Sequence, residues 1–358
     1  MRTLPEFIPS RFSRPGFVIG IVFLASLLLV SLACSASPTP TPTSPPAPTS
    51  TPVPPKLMVA ATVSPITSLA ENIGGDRIDL TGIVPEGTNS HTFEPAPSVA
   101  VTLAETDLFI ANGLFLEEPT IEMAQANRKA GSAHLILGPK TITEDQWVFD
   151  FSFPEDEGNP NPHLWTAPHL ALKYAEFIRD ELVALDPANA DYYRGNFDKL
   201  SAKINDLDQR IYQAVETIPP ENRKLLTYHD SFPYFGPRYG FEIIGAIQPS
   251  DFTEPSAREV ASLIDQVREN NVPAIFGSEV FPSPVLEQIA REGGAEFVDQ
   301  LRDDDLPGGP GDPEHTYMGL ILEDVRIITT ALGGDPSALE GYDPSHVIEG
   351  ESGAVYPQ

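Results

Sequence analysis

The sequence predicts an α/β protein of two α/β lobes joined by a single long helix. Three observations carry this. Short apolar or alternating runs are interleaved with helix-like segments early in the 358-residue chain, the order that builds parallel sheets. The same interleaving returns in its last third. Between the two stretches lies a proline-free segment with one apolar stripe at helical spacing.

In the first stretch, "LMVAAT" (57–62) reads as a strand and "SPITSLAENIGG" (64–75) as a helix, with Ser64 as N-cap, Pro65 at the first helical position and glycines as the stop. "RIDLTGIV" alternates like a strand, "PSVAVTLAETD" is helical, and "LFIANG" and "HLILG" are further strands. Asp186-Pro187 starts the long helix, an acidic cap followed by proline. Tyr193, Phe197, Leu200, Ile204, Leu207, Ile211 and Val215 then recur every three or four residues, with no proline until Pro219. A helix over 187–218 would be about 48 Å long, enough to cross a whole domain. A coiled-coil dimer arm is the alternative reading of that stripe. Beyond it, "RKLLTYH", "FEIIGAI", "VPAIFGSE" and "AEFVDQL" read as strands. "SAREVASLIDQVRENN", capped by Ser256, and "SPVLEQIAREGG" read as helices, and "TYMGLILEDVRIITTALGG" closes as a helix with a glycine stop. Gly74-Gly75 and Gly293-Gly294 end helices ahead of strands in similar settings. The predicted organisation is a lobe at 57–186, a connecting helix at 187–218 and a second lobe at 219–358.

The first 33 residues read differently. Arg2, Arg11 and Arg14 precede an apolar run from Gly16 to Ala33 that ends at Cys34, the one cysteine of the chain. This is the pattern of an export signal, and "VSLAC" resembles a bacterial lipoprotein signal, in which Cys34 would take a lipid. An uncleaved membrane anchor is the other reading. Residues 34–56 are almost entirely Ser, Thr, Pro and Ala, too polar to bury a core and stiffened by proline into a spacer. The expectation is a protein outside the cytoplasm, anchored to the cell membrane by lipid, with no internal disulfide.

Composition narrows the function. With 22 basic and 51 acidic residues the formal charge is −29, which excludes a nucleic-acid partner and suits a cationic ligand. Of seven histidines, His91, His163 and His229 share a setting. Each stands at or beyond a strand end, in a loop stiffened by proline or aromatic residues: "PEGTNSHTFEPAPS", "EGNPNPHLWTAPH" and "TYHDSFPYF". Such loops bind ligands in α/β sheets, and a rigid loop fixes the direction of an imidazole lone pair, as metal binding requires.

These segments resemble the zinc- and manganese-binding solute-binding proteins of bacterial ABC transporters. The resemblance runs from Leu57 to Gly334 and rests on Gly87 to Pro97 around His91, Asn161 to Pro168 around His163, and His229 to Gly240. It implies one divalent ion in the cleft between the lobes, held by His91, His163, His229 and a carboxylate after the last core strand. Asp299 in "FVDQL" is the expected carboxylate, with Asp303, Asp304 and Asp305 read as a solvated turn. It also implies a monomer that hands its ion to a membrane permease through small lobe movements. Histidine at position 229, where glutamate would lean towards manganese, favours zinc. The chain departs from the family pattern at Asn89-Ser90, at Asn161 and at Pro233, where the family usually has Asp-Pro, Asp and Gly. The acidic loop at 154–162 has no histidine and reads as a turn rather than a cation collector.

Three other functions fit less well. A surface adhesin is compatible with the tether. A zinc hydrolase would need an open coordination position and a general base, and no HExxH occurs. A binding protein for an organic solute would need a polar pocket that no Arg cluster or stacking Trp announces.

Overall fold

The apolar runs at 57–62 and 108–113 pair side by side because both of their faces are covered, and they nucleate the first of two four-stranded parallel sheets. The structure is a computed structural model that describes residues 55–248, 253–278, 284–348 and 353–356. The export signal, Cys34 and nearly all of the spacer lie outside the described residues. Among the described residues no helix is long and apolar enough to cross a membrane.

The first lobe runs β1 (Leu57–Ala61), α1 (Ser64–Gly74), β2 (Ile78–Gly82), α2 (Val99–Glu105), β3 (Leu108–Ala111), α3 (Glu118–Asn127), β4 (Ala133–Ile136) and α4 (Gly138–Thr141). Its strand order is β2-β1-β3-β4, all parallel. Ser64 is the first residue inside α1 rather than its cap, a place taken by Val63. Two helices follow, α5 (Pro168–Leu185) and α6 (Ala190–Glu216). The second lobe is β5 (Lys224–Thr227), α7 (Phe235–Tyr239), β6 (Glu242–Ala246), α8 (Ala257–Asn270), β7 (Ala274–Ser278), α9 (Pro284–Gly293), β8 (Glu296–Leu301) and α10 (Tyr317–Ala331). Its order, β6-β5-β7-β8, repeats that of the first sheet. Ser256 caps α8 in a reciprocal capping box with Glu259, as its position in the sequence predicts.

The long helix α6 spans 27 residues, about 40 Å; residues 187–189 form a separate tight turn before it. Its stripe is used within the chain: Tyr193, Leu200, Ile204, Leu207, Ile211 and Val215 are buried against α1, α5 and α10. That removes the basis for a coiled-coil arm. Buried Asp208 ties this spine to the second lobe, accepting from Arg238 at 2.7 and 2.9 Å and from Tyr239 Oη at 2.5 Å.

Two features correct the sequence reading. Helix α5 has no counterpart in it, although Leu170, Ala171, Tyr174, Ala175, Ile178 and Leu182 form its buried face at helical spacing. And the second lobe does not hold the whole of 219–358. Val355 pairs with the edge of β2, through Gly82 N–H to Val355 O at 3.0 Å and Val355 N–H to Leu80 O at 3.0 Å. The tail thus covers a sheet edge that would otherwise be open.

Candidate metal centre

Parallel sheets place their ligand loops at the carboxyl ends of their strands, and four such loops meet between the lobes. His91 lies on the loop after β2, His163 on the loop after β4 and His229 directly after β5. The fourth follows β8 and carries Asp303, Asp304 and Asp305. The three Nε2 atoms form a triangle with sides of 3.2 Å (His91–His163), 3.1 Å (His91–His229) and 3.0 Å (His163–His229). His163 and His229 are buried and His91 is partly exposed.

The outer nitrogens define the protonation. His163 Nδ1 is 2.8 Å from Asn161 Oδ1, and His229 Nδ1 is 2.8 Å from Gln248 Oε1. An amide oxygen only accepts, so each Nδ1 carries the proton and each Nε2 presents a bare lone pair. Two bare lone pairs then face one another at 3.0 Å, an arrangement that a cation between them resolves. Burial, and next His229, hold His91 and His163 well below the usual imidazole value, and burial lowers His229 as well. All three are therefore neutral at pH 7, the form that ligates metal.

Asp299 does not reach this cluster. Strand β8 continues to Leu301, so Asp299 sits inside the strand with its side chain exposed. The loop at the strand's end begins at Arg302, and its acids are the buried ones: Asp303, Asp304 and Asp305 are 4%, 7% and 9% exposed. Asp303 Oδ2 lies 3.5 Å from His229 Nε2, and His163, Asp303 and Asp304 group their donor atoms within 4.8 Å of one another. The triple Asp is thus buried and not a solvated turn, with Asp303 and Asp304 beside the histidines and Asp305 held by Gly87. Burial pushes Asp303 well above the carboxylate range, and pushes Asp304 and Asp305 up to about 6. Asp304 Oδ1 is buried with no hydrogen-bond partner among the described residues.

The departures from the family pattern fill the surroundings of the ligands. Asn161 Oδ1 accepts both from the His163 backbone N–H at 3.0 Å and from its ring, while Nδ2 donates to Asp230 O across the cleft at 2.6 Å. Asp230 is buried beside Asp150, which burial and then Asp230 push up to about 9; Asp230 supports the interface and is not a ligand. Gly87, at φ +74°, turns its N–H onto Asp305 at 2.7 Å. The remaining histidines stand elsewhere: His315 is 3.4 Å from Glu86, His346 is 3.6 Å from Glu71, and His134 packs on Phe109. The loop at 154–162 makes a short acidic turn, Glu155–Glu157, and Glu157 joins His91, Phe115 and Phe153 around a cavity of about 70 Å³.

Residues 59–331 match the family described as zinc-uptake complex component A, periplasmic (ZnuA). The chain belongs to this family. Among curated ZnuA relatives, the iron-binding protein YfeA of Yersinia pestis is 30% identical over 330 residues, covering 92% of this chain and 99% of that protein. Two solved structures share the fold. The manganese-bound periplasmic metal-binding protein of Candidatus Liberibacter asiaticus is 28% identical, with a TM-score of 0.68, over 77% of this chain and 100% of that one. The periplasmic zinc-binding protein TroA of Treponema pallidum is 25% identical, with a TM-score of 0.70, over 78% and 99%.

In this ZnuA-family chain Asn161 orients His163 and bridges the lobes at once. Asn161→Ala is expected to weaken metal binding by roughly 10–100-fold, the usual effect of removing a group that holds a ligand. Isothermal titration against the parent protein checks it.

Proposed function

We propose that the protein captures a divalent transition metal outside the cytoplasm and passes it to an ABC-transporter permease. The observation that carries this reading is the triangle of Nε2 atoms at 3.0–3.2 Å, two of which keep a bare lone pair when the opposite ring nitrogen donates to its amide oxygen. The ligands are His91, His163 and His229, with the carboxylate supplied by the Asp303–Asp304 pair in place of Asp299. The likeness to an iron-binding, a manganese-bound and a zinc-binding protein supports a metal cargo. Three imidazoles and a carboxylate favour zinc, which accepts such a set in a tetrahedron at about 2.0–2.2 Å; manganese is the competitor. Four protein donors leave no position for an activated water, so a hydrolase is not the reading adopted.

Both lobes contribute ligands, so the ion closes the cleft. Release then requires the lobes to part, and spine α6 limits how far they move. Nanomolar capture corresponds to about −12 kcal/mol, which the permease must offset by separating the lobes. The spacer and Cys34 support a lipid-anchored form at the membrane.

Competition titration of the metal-free protein with zinc and manganese at pH 7.5 and 5.5 tests the reading. Zinc is expected to bind more tightly. Protons compete with the metal for the same donors, so affinity falls as pH falls. Burial lowers the imidazoles and raises both Asp303 and Asp304, so the carboxylate pair rather than histidine takes up protons first as pH falls. Affinity should be lower at pH 5.5 than at pH 7.5, by up to roughly tenfold per pH unit for each proton displaced. Equal, weak binding of both metals at both pH values would remove the assignment.

A further inference from the structure

Ser90 stands immediately before His91, and its Oγ reaches across the cleft. Its residue is 1% exposed, and it donates a hydrogen bond to Asp304 Oδ2, a residue 214 positions away in the opposite lobe. The Asn89 side chain holds the same turn, accepting from His91 N–H at 2.9 Å. The two oxygens of Asp304 are thereby made unequal. Oδ2 is engaged by Ser90, while Oδ1 is buried and has no hydrogen-bond partner among the described residues; one oxygen of this carboxylate groups with His163 and Asp303. A buried carboxylate oxygen without a donor is costly, and in this position a cation is the partner that completes it.

We infer that Ser90 is a specificity-determining residue: by occupying Asp304 Oδ2 it restricts this carboxylate to a single oxygen for the ion. This rests on the metal-capture reading above and adds the basis of its choice of metal. Zinc is satisfied by four donors, so a carboxylate limited to one oxygen suits it. Manganese favours oxygen ligands and a higher coordination number, so it gains more when both oxygens are free. The hydroxyl therefore biases the site towards zinc without touching the ion.

The test compares the parent with Ser90→Ala and Ser90→Thr, each stripped of metal and titrated competitively with zinc and with manganese. Loaded samples are also examined by X-ray absorption for the number of oxygen neighbours. Ser90→Ala is expected to lower the zinc-to-manganese affinity ratio about tenfold and to add an oxygen neighbour to bound manganese. Ser90→Thr, which keeps the hydroxyl, should retain the parent ratio. An unchanged ratio in Ser90→Ala, with melting temperature and total metal capacity intact, would overturn the inference and leave the capture reading standing. Loss of discrimination in both variants would also overturn it, since the hydroxyl would then not be the cause. Failure of the capture reading itself looks different: the parent and His163→Ala would bind both metals alike, whatever stands at position 90.

Discussion

His163→Ala protein is expected to bind zinc at least roughly a thousandfold more weakly than the parent, about 4 kcal/mol, whereas Asp299→Asn protein binds as the parent does. The first half follows from burial. His163 is fully enclosed, its Nε2 is 3.0 Å and 3.2 Å from the other two, and no water can replace it in a closed cleft without remaking the Asn161 contacts. The second half follows from strand register, because Asp299 is exposed inside β8 and its removal touches no donor. Asp303→Asn and Asp304→Asn should each weaken binding, since each removes negative charge from the buried pair. Competition with a chelator of known affinity measures all four variants on one scale. Strong loss in Asp299→Asn with no loss in the Asp303 and Asp304 variants would restore the sequence reading and sink the structural one.

That contrast shows what was legible in the chain. The three imidazoles were legible because each follows a strand and sits in a proline- or aromatic-rich loop, and those are local signals. The carboxylate was not, because its identity depended on where β8 ends. Two further residues of strand moved the loop from Asp299 to Asp303. The burial of Asp303, Asp304 and Asp305 was illegible for a different reason. The groups that receive them, Ser90 Oγ and Gly87 N–H, lie more than 200 residues earlier, and a run of acids beside Gly and Pro looks solvated until those partners are known. Helix α5 was a plainer omission, since its apolar spacing was present but lay next to the more conspicuous stripe of α6. The return of residues 353–356 to β2 had no local signal, because the pairing uses backbone groups that any sequence carries.

The two lobes are held together by more than the proposed ion. Asn161 Nδ2 donates to Asp230 O, Ser152 Oγ to Gln248 O at 2.7 Å, Thr166 Oγ1 to Ser231 O at 2.9 Å, and Gly87 N–H to Asp305. Each contact is worth about 1 kcal/mol net, and together they hold the two lobes against one another. On the capture reading, a permease that parted the lobes would break these bonds and separate His91 and His163 from His229 in one movement.

Trp165→Ala is expected to cost about 3–5 kcal/mol of stability, the range for removing a fully enclosed aromatic side chain, and to lower the melting temperature by roughly 5–15 °C. Trp165 is 0% exposed. It lies edge-on to the His163 ring with centroids 5.1 Å apart. Its Nε1 donates to Asp303 O across the cleft at 2.7 Å, and its own carbonyl accepts from Tyr317 Oη at 2.9 Å. One side chain thus backs a ligand in the first lobe and pins the backbone of a carboxylate in the second. The cavity and the lost tether are separable with Trp165→Phe, which fills most of the space but cannot donate. That variant should lose only about 1–3 kcal/mol, the cost of leaving the Asp303 carbonyl without its donor. Added zinc raises the melting temperature of the parent by mass action, about 4 kcal/mol at a thousand times the dissociation constant. If Trp165 positions Asp303, both variants show a smaller zinc-induced shift than the parent. If it only fills space, Trp165→Phe keeps the full shift and Trp165→Ala alone is impaired. Differential scanning calorimetry with and without zinc separates the two outcomes.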